Sequence, residues 1–269
     1  MRWTLGDHAW SPTAVLVALL TTAACGGGPP PPADEPDGIK VTHHDQAPGG
    51  SVSGGGDQMH VEGTVGGLNR RAVQRTFNEA MPTMRGCIDD GRKQLPFLGG
   101  DIAVAIEIDP SGKALSVLLT KSTLGDHRVE ACIVKALEAK QWPRPVGGKV
   151  GQTSSSFGWQ SDHLDPPQQW STERLASAMA AEVDPEEENP GPPPFSELEA
   201  KLGECRNEAG ASPMDVTVYL DEDGMPQSFG VSVDDAQGLK AIDCLSTVLQ
   251  TTSFPAPGGS FAKVTVPVR

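Results

Sequence analysis

Asp109-Pro-Ser-Gly112 is followed twenty residues later by Cys132, and eleven after that by the first proline of Trp142-Pro-Arg-Pro-Val-Gly-Gly148. The same order returns as Asp221-Glu-Asp-Gly224, twenty residues to Cys244, and eleven to the first proline of Phe254-Pro-Ala-Pro-Gly-Gly259. Each copy carries an upstream cysteine, Cys87 or Cys205, near the end of an apolar-periodic stretch. Two spacings kept to the residue mark an internal duplication, so the chain reads as two versions of one small module.

Working outward from the first turn, Ile102, Val104, Ile106 and Ile108 alternate with Ala103, Ala105 and Glu107, the period of a half-buried strand. Asp109 to Gly112 is a turn sequence leading to a second strand over residues 113–121, and the pair predicts a hairpin. Upstream, Val73, Phe77, Met81, Met84 and Ile88 fall at helical spacing and predict an amphipathic helix over about residues 69–93. Downstream, Ser122-Thr123 with Asp126 reads as a helix start. Val129, Cys132, Ile133, Ala136 and Leu137 then turn one face of that helix to the core, and residues 150–157 return as a third strand.

The second copy repeats this order in trimmed form, with Leu198, Leu202 and Cys205 on a helix, and Val216, Val218 and Leu220 alternating into the turn at Asp221. It continues through residues 229–233, a helix carrying Ala241, Cys244, Leu245, Val248 and Leu249, and a last strand over residues 261–268. The expected fold class is α+β, each module being two helices packed on a short antiparallel three-stranded sheet.

Composition bounds the rest. The 269 residues include 24 Pro and 31 Gly, concentrated outside the repeats. Residues 26–65 hold hardly any large apolar side chain and read as a disordered tether. Residues 159–194, with Pro166-Pro167, Asp184-Pro-Glu-Glu-Glu188 and Pro190-Gly-Pro-Pro-Pro194, read as a semi-rigid acidic spacer with one short helix between Ser171 and Val183. Expected boundaries are therefore a leader at 1–24, a tether at 25–65, module one at 66–158, a linker at 159–194 and module two at 195–269. Module one is net +4, whereas the tether, linker and second module are −5, −7 and −6 in a chain of net charge −14. No stretch interleaves basic and aromatic residues as nucleic-acid binding requires, so the expected partners exclude nucleic acid. The charge contrast predicts a salt-sensitive contact of the acidic segments with module one.

The start of the chain has Arg2, the apolar run Thr13 to Leu20, then Thr21-Thr-Ala-Ala-Cys25 before three glycines, the layout of an export signal too short for a membrane anchor of about 20 residues. It resembles the lipobox of bacterial lipoproteins, with Thr22 where Leu, Val or Ile is usual, and this implies acylation of Cys25. Gly26 after that cysteine implies the outer membrane, facing the periplasm. The five cysteines then divide into one at the junction and two per module. Four cysteines allow three pairings or four buried thiols, and only Cys87 with Cys132 and Cys205 with Cys244 give each module the same bond. Export favours that pairing.

Taken together, Cys87, Pro96-Phe-Leu-Gly-Gly100, Asp109 to Gly112, Ser122-Thr-Leu124, Val129-Glu-Ala-Cys132 and the Trp142 to Gly148 segment resemble the C-terminal domain of the AgmX/PglI gliding-motility proteins, a family related to the TonB C-terminal domain. The resemblance covers about residues 65–158, with 195–269 as a degenerate copy. It implies an envelope domain used for contact with other proteins and not for chemistry, in gliding motility or TonB-like coupling. The expected mode is strand addition at an exposed sheet edge, with Val150, Gln152, Ser154, Ser156 and Phe157 as the candidate edge.

Residues for catalysis are few. His127 and Cys132 stand five apart on one helix and face different ways. His43, His44 and His60 lie in the Gly-rich tether without ligand spacing. Gly147-Gly-Lys149 does not follow the phosphate-loop order. No enzyme activity, cofactor or metal is expected. A structural, cell-wall-associated lipoprotein is the rival reading, and a secreted enzyme a distant third.

Overall fold

A computed structural model describes the backbone of residues 58–161, 163–181 and 194–269, and side chains from residue 64 onward. The elements in chain order are β1 (Gln58–Val65), α1 (Arg70–Arg92), β2 (Gly100–Ile108), β3 (Ala114–Ser122), α2 (His127–Glu138), β4 (Gly151–Trp159), β5 (Gln168–Trp170), α3 (Thr172–Ala181), α4 (Pro194–Ala209), β6 (Met214–Leu220), β7 (Pro226–Val233), α5 (Ile242–Thr251) and β8 (Ala262–Val268).

The helix starts and turns are set locally. The Asn69 side chain accepts from the Ala72 amide at the head of α1, and Asp126 accepts from Arg128 and Val129 at the head of α2, each satisfying donors that a first helical turn leaves open. Asp109 Oδ1 accepts from the Ser111 and Lys113 amides at 2.8 and 2.9 Å. Asp221 Oδ1 likewise accepts from Asp223 and Met225 at 3.0 and 2.8 Å, so the duplication extends to individual hydrogen bonds.

The turn glycines account for the conserved distance to the Pro-rich segment. Gly112 and Gly224 have φ of 87° and 81°, and a side chain on either would strike the carbonyl of Trp142 or Phe254. Those two residues occupy equivalent places just before the first proline. The hairpin tip therefore packs on the helix exit in both modules, and Trp142 also donates its amide to Gly112 O at 2.8 Å.

Among the described residues each module has four strands where three were expected. The sheet orders are β1-β4-β2-β3 and β5-β8-β6-β7. The added strands come from segments read as tether and spacer. Residues 58–65 pair antiparallel with β4, and Gln168 to Trp170 pair in parallel with β8. Trp170, with Leu175 and Met179 of α3, is buried in the second core, so module two begins inside the acidic linker and not at residue 195. Averaging over Gly- and Pro-rich composition hid these short segments.

The α1–α2 pair covers one face of the first sheet, with Phe77 meeting Trp142 edge-on at 4.9 Å between ring centroids. The α4–α5 pair belongs to the second core. Cys87–Cys132 and Cys205–Cys244 are disulfide-bonded, joining α1 to α2 and α4 to α5. Residues 53–269 form one compact unit, not two modules on a free tether.

Each bond closes a long loop, with sequence separations of 45 and 39. Replacing Cys205 and Cys244 together by alanine should cost about 4 kcal/mol of stability through the larger entropy of the unfolded chain, checked by urea unfolding of the full chain. An unchanged midpoint would show that the bond contributes nothing net.

Candidate functional site

The two modules meet across a junction built mainly of hydrogen bonds from the second to the first. β6 is the central contributor. Its sequence Val216-Thr-Val-Tyr-Leu220 is buried throughout, because Val216, Val218 and Leu220 face the second core while Thr217 and Tyr219 face module one. Tyr219 is fully buried within the first module's core, and its ring lies 5.5 Å from that of Phe97. Phe261 packs on Phe97 as well, at 4.5 Å between ring centroids.

Two donors of module two converge on one acceptor of module one. The Gly99 carbonyl accepts from Tyr219 Oη at 3.2 Å and from Lys263 Nζ at 2.6 Å. Nearby, Thr217 Oγ1 donates to Ser122 O at 3.2 Å and Ser228 Oγ to Gly125 O at 2.6 Å. His127 stacks on Phe229 at 4.9 Å, and Cys132 is in its disulfide, so the thiol–imidazole pair does not form.

Glu130 is the buried acid of the junction. It projects from α2, 4 % exposed, and accepts from Ser122 Oγ on β3 and from the Val231 amide of β7 at 2.9 Å. The Val231 amide belongs to an edge strand, and the carboxylate supplies the acceptor that the strand lacks there. Burial pushes Glu130 up to about 7, against the opposing pull of those two hydrogen bonds. Gly230 must be glycine for this contact, since a Cβ there would strike the Glu130 carboxylate.

The ion pairs Lys93–Asp90, Arg128–Asp126, Lys201–Glu197 and Arg269–Asp215 each lie within one module. The acidic run Asp184-Pro-Glu-Glu-Glu188 of the expected fold-back lies outside the described residues, and the contact that the described residues make between the modules is packed and hydrogen-bonded.

Beside the junction, the sheet faces turned away from the helices enclose a cleft of about 1280 Å³. One cross-strand row from each sheet lines it. Lys121, Ala103 and Ser156 are in register on β3, β2 and β4, and Gln169, Lys263 and Tyr219 on β5, β8 and β6. Lys263 is 6 % exposed, its Nζ lies 5.1 Å from the centroid of the Tyr219 ring, and burial pulls its pKa down to about 8.

The expected binding edge is overturned. Gln152, Ser154, Ser156 and Phe157 lie on β4, which pairs with β1 on one side and β2 on the other, so its backbone has no open edge. Phe157 is buried in the core and Val150 precedes the strand. Ser156 and Phe157 of that set line the cleft. Cys25 lies outside the described residues. Glu130, Tyr219 and Lys263 were not singled out from the sequence. The one available signal was β6, whose nearly continuous buried run is the pattern of a strand covered on both faces.

The chain matches no family model, no curated protein and no solved structure. The site is therefore read from its own geometry.

Gly230→Ala should destabilise the full chain by about 1 to 3 kcal/mol, because the carboxylate it meets is already fixed by two partners. Thermal unfolding checks this, and adding Glu130→Ala in the same chain should recover part of the loss. Because the folded pKa of Glu130 is raised above its unfolded value of 4.5, the fold favours the protonated acid. The Glu130 contribution to stability should therefore grow as pH falls from about 7 toward 4.5, and Glu130→Gln should remove that part of the slope. Parallel stability–pH curves for the two proteins would contradict it.

Proposed function

We propose that this chain is a non-enzymatic, lipid-anchored protein of the bacterial envelope, facing the periplasm from the outer membrane, that serves as a protein–protein adaptor. The observation that carries this reading is the distribution of strand edges. β3 and β7 are the inward edges and lie against each other at the junction. β1 is an eight-residue strand with β4 as its one partner among the described residues, so its outer edge is a template for strand addition. The partner edge thus moves from β4 to β1.

Supporting features are the export-type leader, the lipobox-like Cys25 and the disulfide in each module, which suits an oxidising compartment. The resemblance to the AgmX/PglI domain points the same way, toward gliding motility or TonB-like coupling as the pathway.

The test is in-cell photocrosslinking of the tagged full chain from Val65, an exposed position at the end of β1, with Glu173 on α3 as control. Envelope transport or motility proteins captured from Val65 and not from Glu173 are the expected result. Recovery of cell wall and abundant porins alone would replace the adaptor by a structural, cell-wall-associated lipoprotein. Cys25→Ser should release the protein from the membrane fraction, and unchanged membrane retention would remove the lipid anchor.

A further inference from the structure

The cleft between the two sheets contains an ammonium group with an incomplete set of partners. Lys263 has three N–H donors, and among the described residues one hydrogen bond is made, to Gly99 O. The Tyr219 ring face offers a second, weaker contact. No described carboxylate lies within ion-pair distance of Lys263, although Asp101 on β2 and Glu130 on α2 act on it from farther away. A buried cation without a paired anion is costly, and the usual resolution is a counter-charge.

The surroundings narrow the chemistry of that counter-charge. No arginine lines the cleft and the second cation is Lys121, with hydroxyls of Ser156, Thr123 and Thr265 in the same walls. Point-like ammonium groups and hydroxyls suit a single carboxylate, whereas a phosphate group is commonly met by the forked donors of arginine or by a helix N-terminus. The walls also carry the Asp101 carboxylate and the side chains of Phe97, Gln160 and Gln169, while Gly99, Gly100 and Gly158 leave backbone close to the lumen. A space of about 1280 Å³ exceeds the range of about 300 to 1,000 Å³ usual for compact small-molecule sites and has room for several residues of extended chain.

We propose that the inter-sheet cleft is a binding site for a carboxylate-bearing ligand of short-peptide size, with Lys263 as the charged anchor and Lys121 as the supporting donor. The carboxylate takes the N–H groups of Lys263 that Gly99 O leaves open, and the amine remains bonded to module one throughout. Both modules are then required, since Lys121 comes from the first and Lys263 from the second. The site is distinct from the outer edge of β1 and does not rest on strand addition there.

The test is isothermal titration of the full-length protein with N-acetyl-trialanine bearing a free C-terminal carboxylate, with its C-terminal amide, and with acetate. The carboxylate peptide should bind at least about tenfold more tightly than the amide, the size of effect that one charge-assisted hydrogen bond supplies. That preference should disappear in Lys263→Met and weaken in the more exposed Lys121→Met. In the unaltered chain it should also decline as pH rises through about 8, where the amine loses its charge in the field of Asp101 and Glu130, with Lys121 in the same cleft. The pH series and the peptide–amide comparison decide the matter even where Lys263→Met fails to fold. Equal affinity for peptide and amide, binding of neither at about 10 mM, or full carboxylate preference in folded Lys263→Met would overturn the site. Acetate binding as tightly as the peptide, and lost with Lys263, would uphold the carboxylate site and assign it to a free small acid.

Discussion

In both modules the tip of a hairpin is pressed against the exit of a helix, and much of the rest follows from that contact. Gly112 and Gly224 leave no room for a side chain because the carbonyl of Trp142 or Phe254 stands there. Their positive φ angles let the Asp109 and Asp221 turns close while the backbone of the Pro-rich segment lies alongside. Once tip and exit are joined, the length of the intervening strand and helix is fixed. The second helix must lie across the sheet at a set height, and Cys132 and Cys244 are brought to their partners on the first helix. An insertion between the turn and the cysteine would break two contacts together, a physical reason for both copies to keep the same spacing.

The junction between modules obeys a different constraint, the need to satisfy buried polar groups. Glu130 provides an acceptor for an edge-strand amide, and Tyr219 and Lys263 share the Gly99 carbonyl. Such contacts are individually modest but costly to leave half made, so they favour a single arrangement of the two modules over a loose association. The glycines at 125 and 230 belong to the same device, since each admits a side chain of the opposite module, Tyr219 or Glu130, at a distance that a Cβ would forbid. Acidic module two is thus held to basic module one by shape and hydrogen bonding. The fixed geometry opens a cleft between the sheet faces that neither module alone would have.

How much could be read beforehand differs by element. The hairpins and the helices flanking them were legible because apolar residues such as Ile102, Val104 and Ile106, or Val129, Ile133 and Leu137, keep the period of their element and alternate with polar ones. The cysteine pairing was legible because the duplication allowed one symmetric solution. β1 and β5 were not, for they are short, follow Gly- or Pro-rich sequence and are held by backbone hydrogen bonds that many side chains tolerate. The candidate edge on β4 failed for the same reason, since the strand that covers it came from the segment read as tether. Lys263 and Glu130 looked like surface charges, and nothing local marks a Lys or Glu as buried when its partner lies 164 residues away, as Gly99 does for Lys263, or 101, as Val231 does for Glu130.

The sequence by itself determined the duplicated module, its helices and hairpins and its internal disulfides, because these depend on periodicity and spacing within fewer than a hundred residues. Only the tertiary structure decided that each sheet gains a fourth strand, that the modules share a buried polar junction, and that a lysine stands in a cleft between them. Strand addition and inter-module burial depend on backbone edges and on surfaces that come together only after each module has folded, and such edges leave little mark in the order of side chains along the chain.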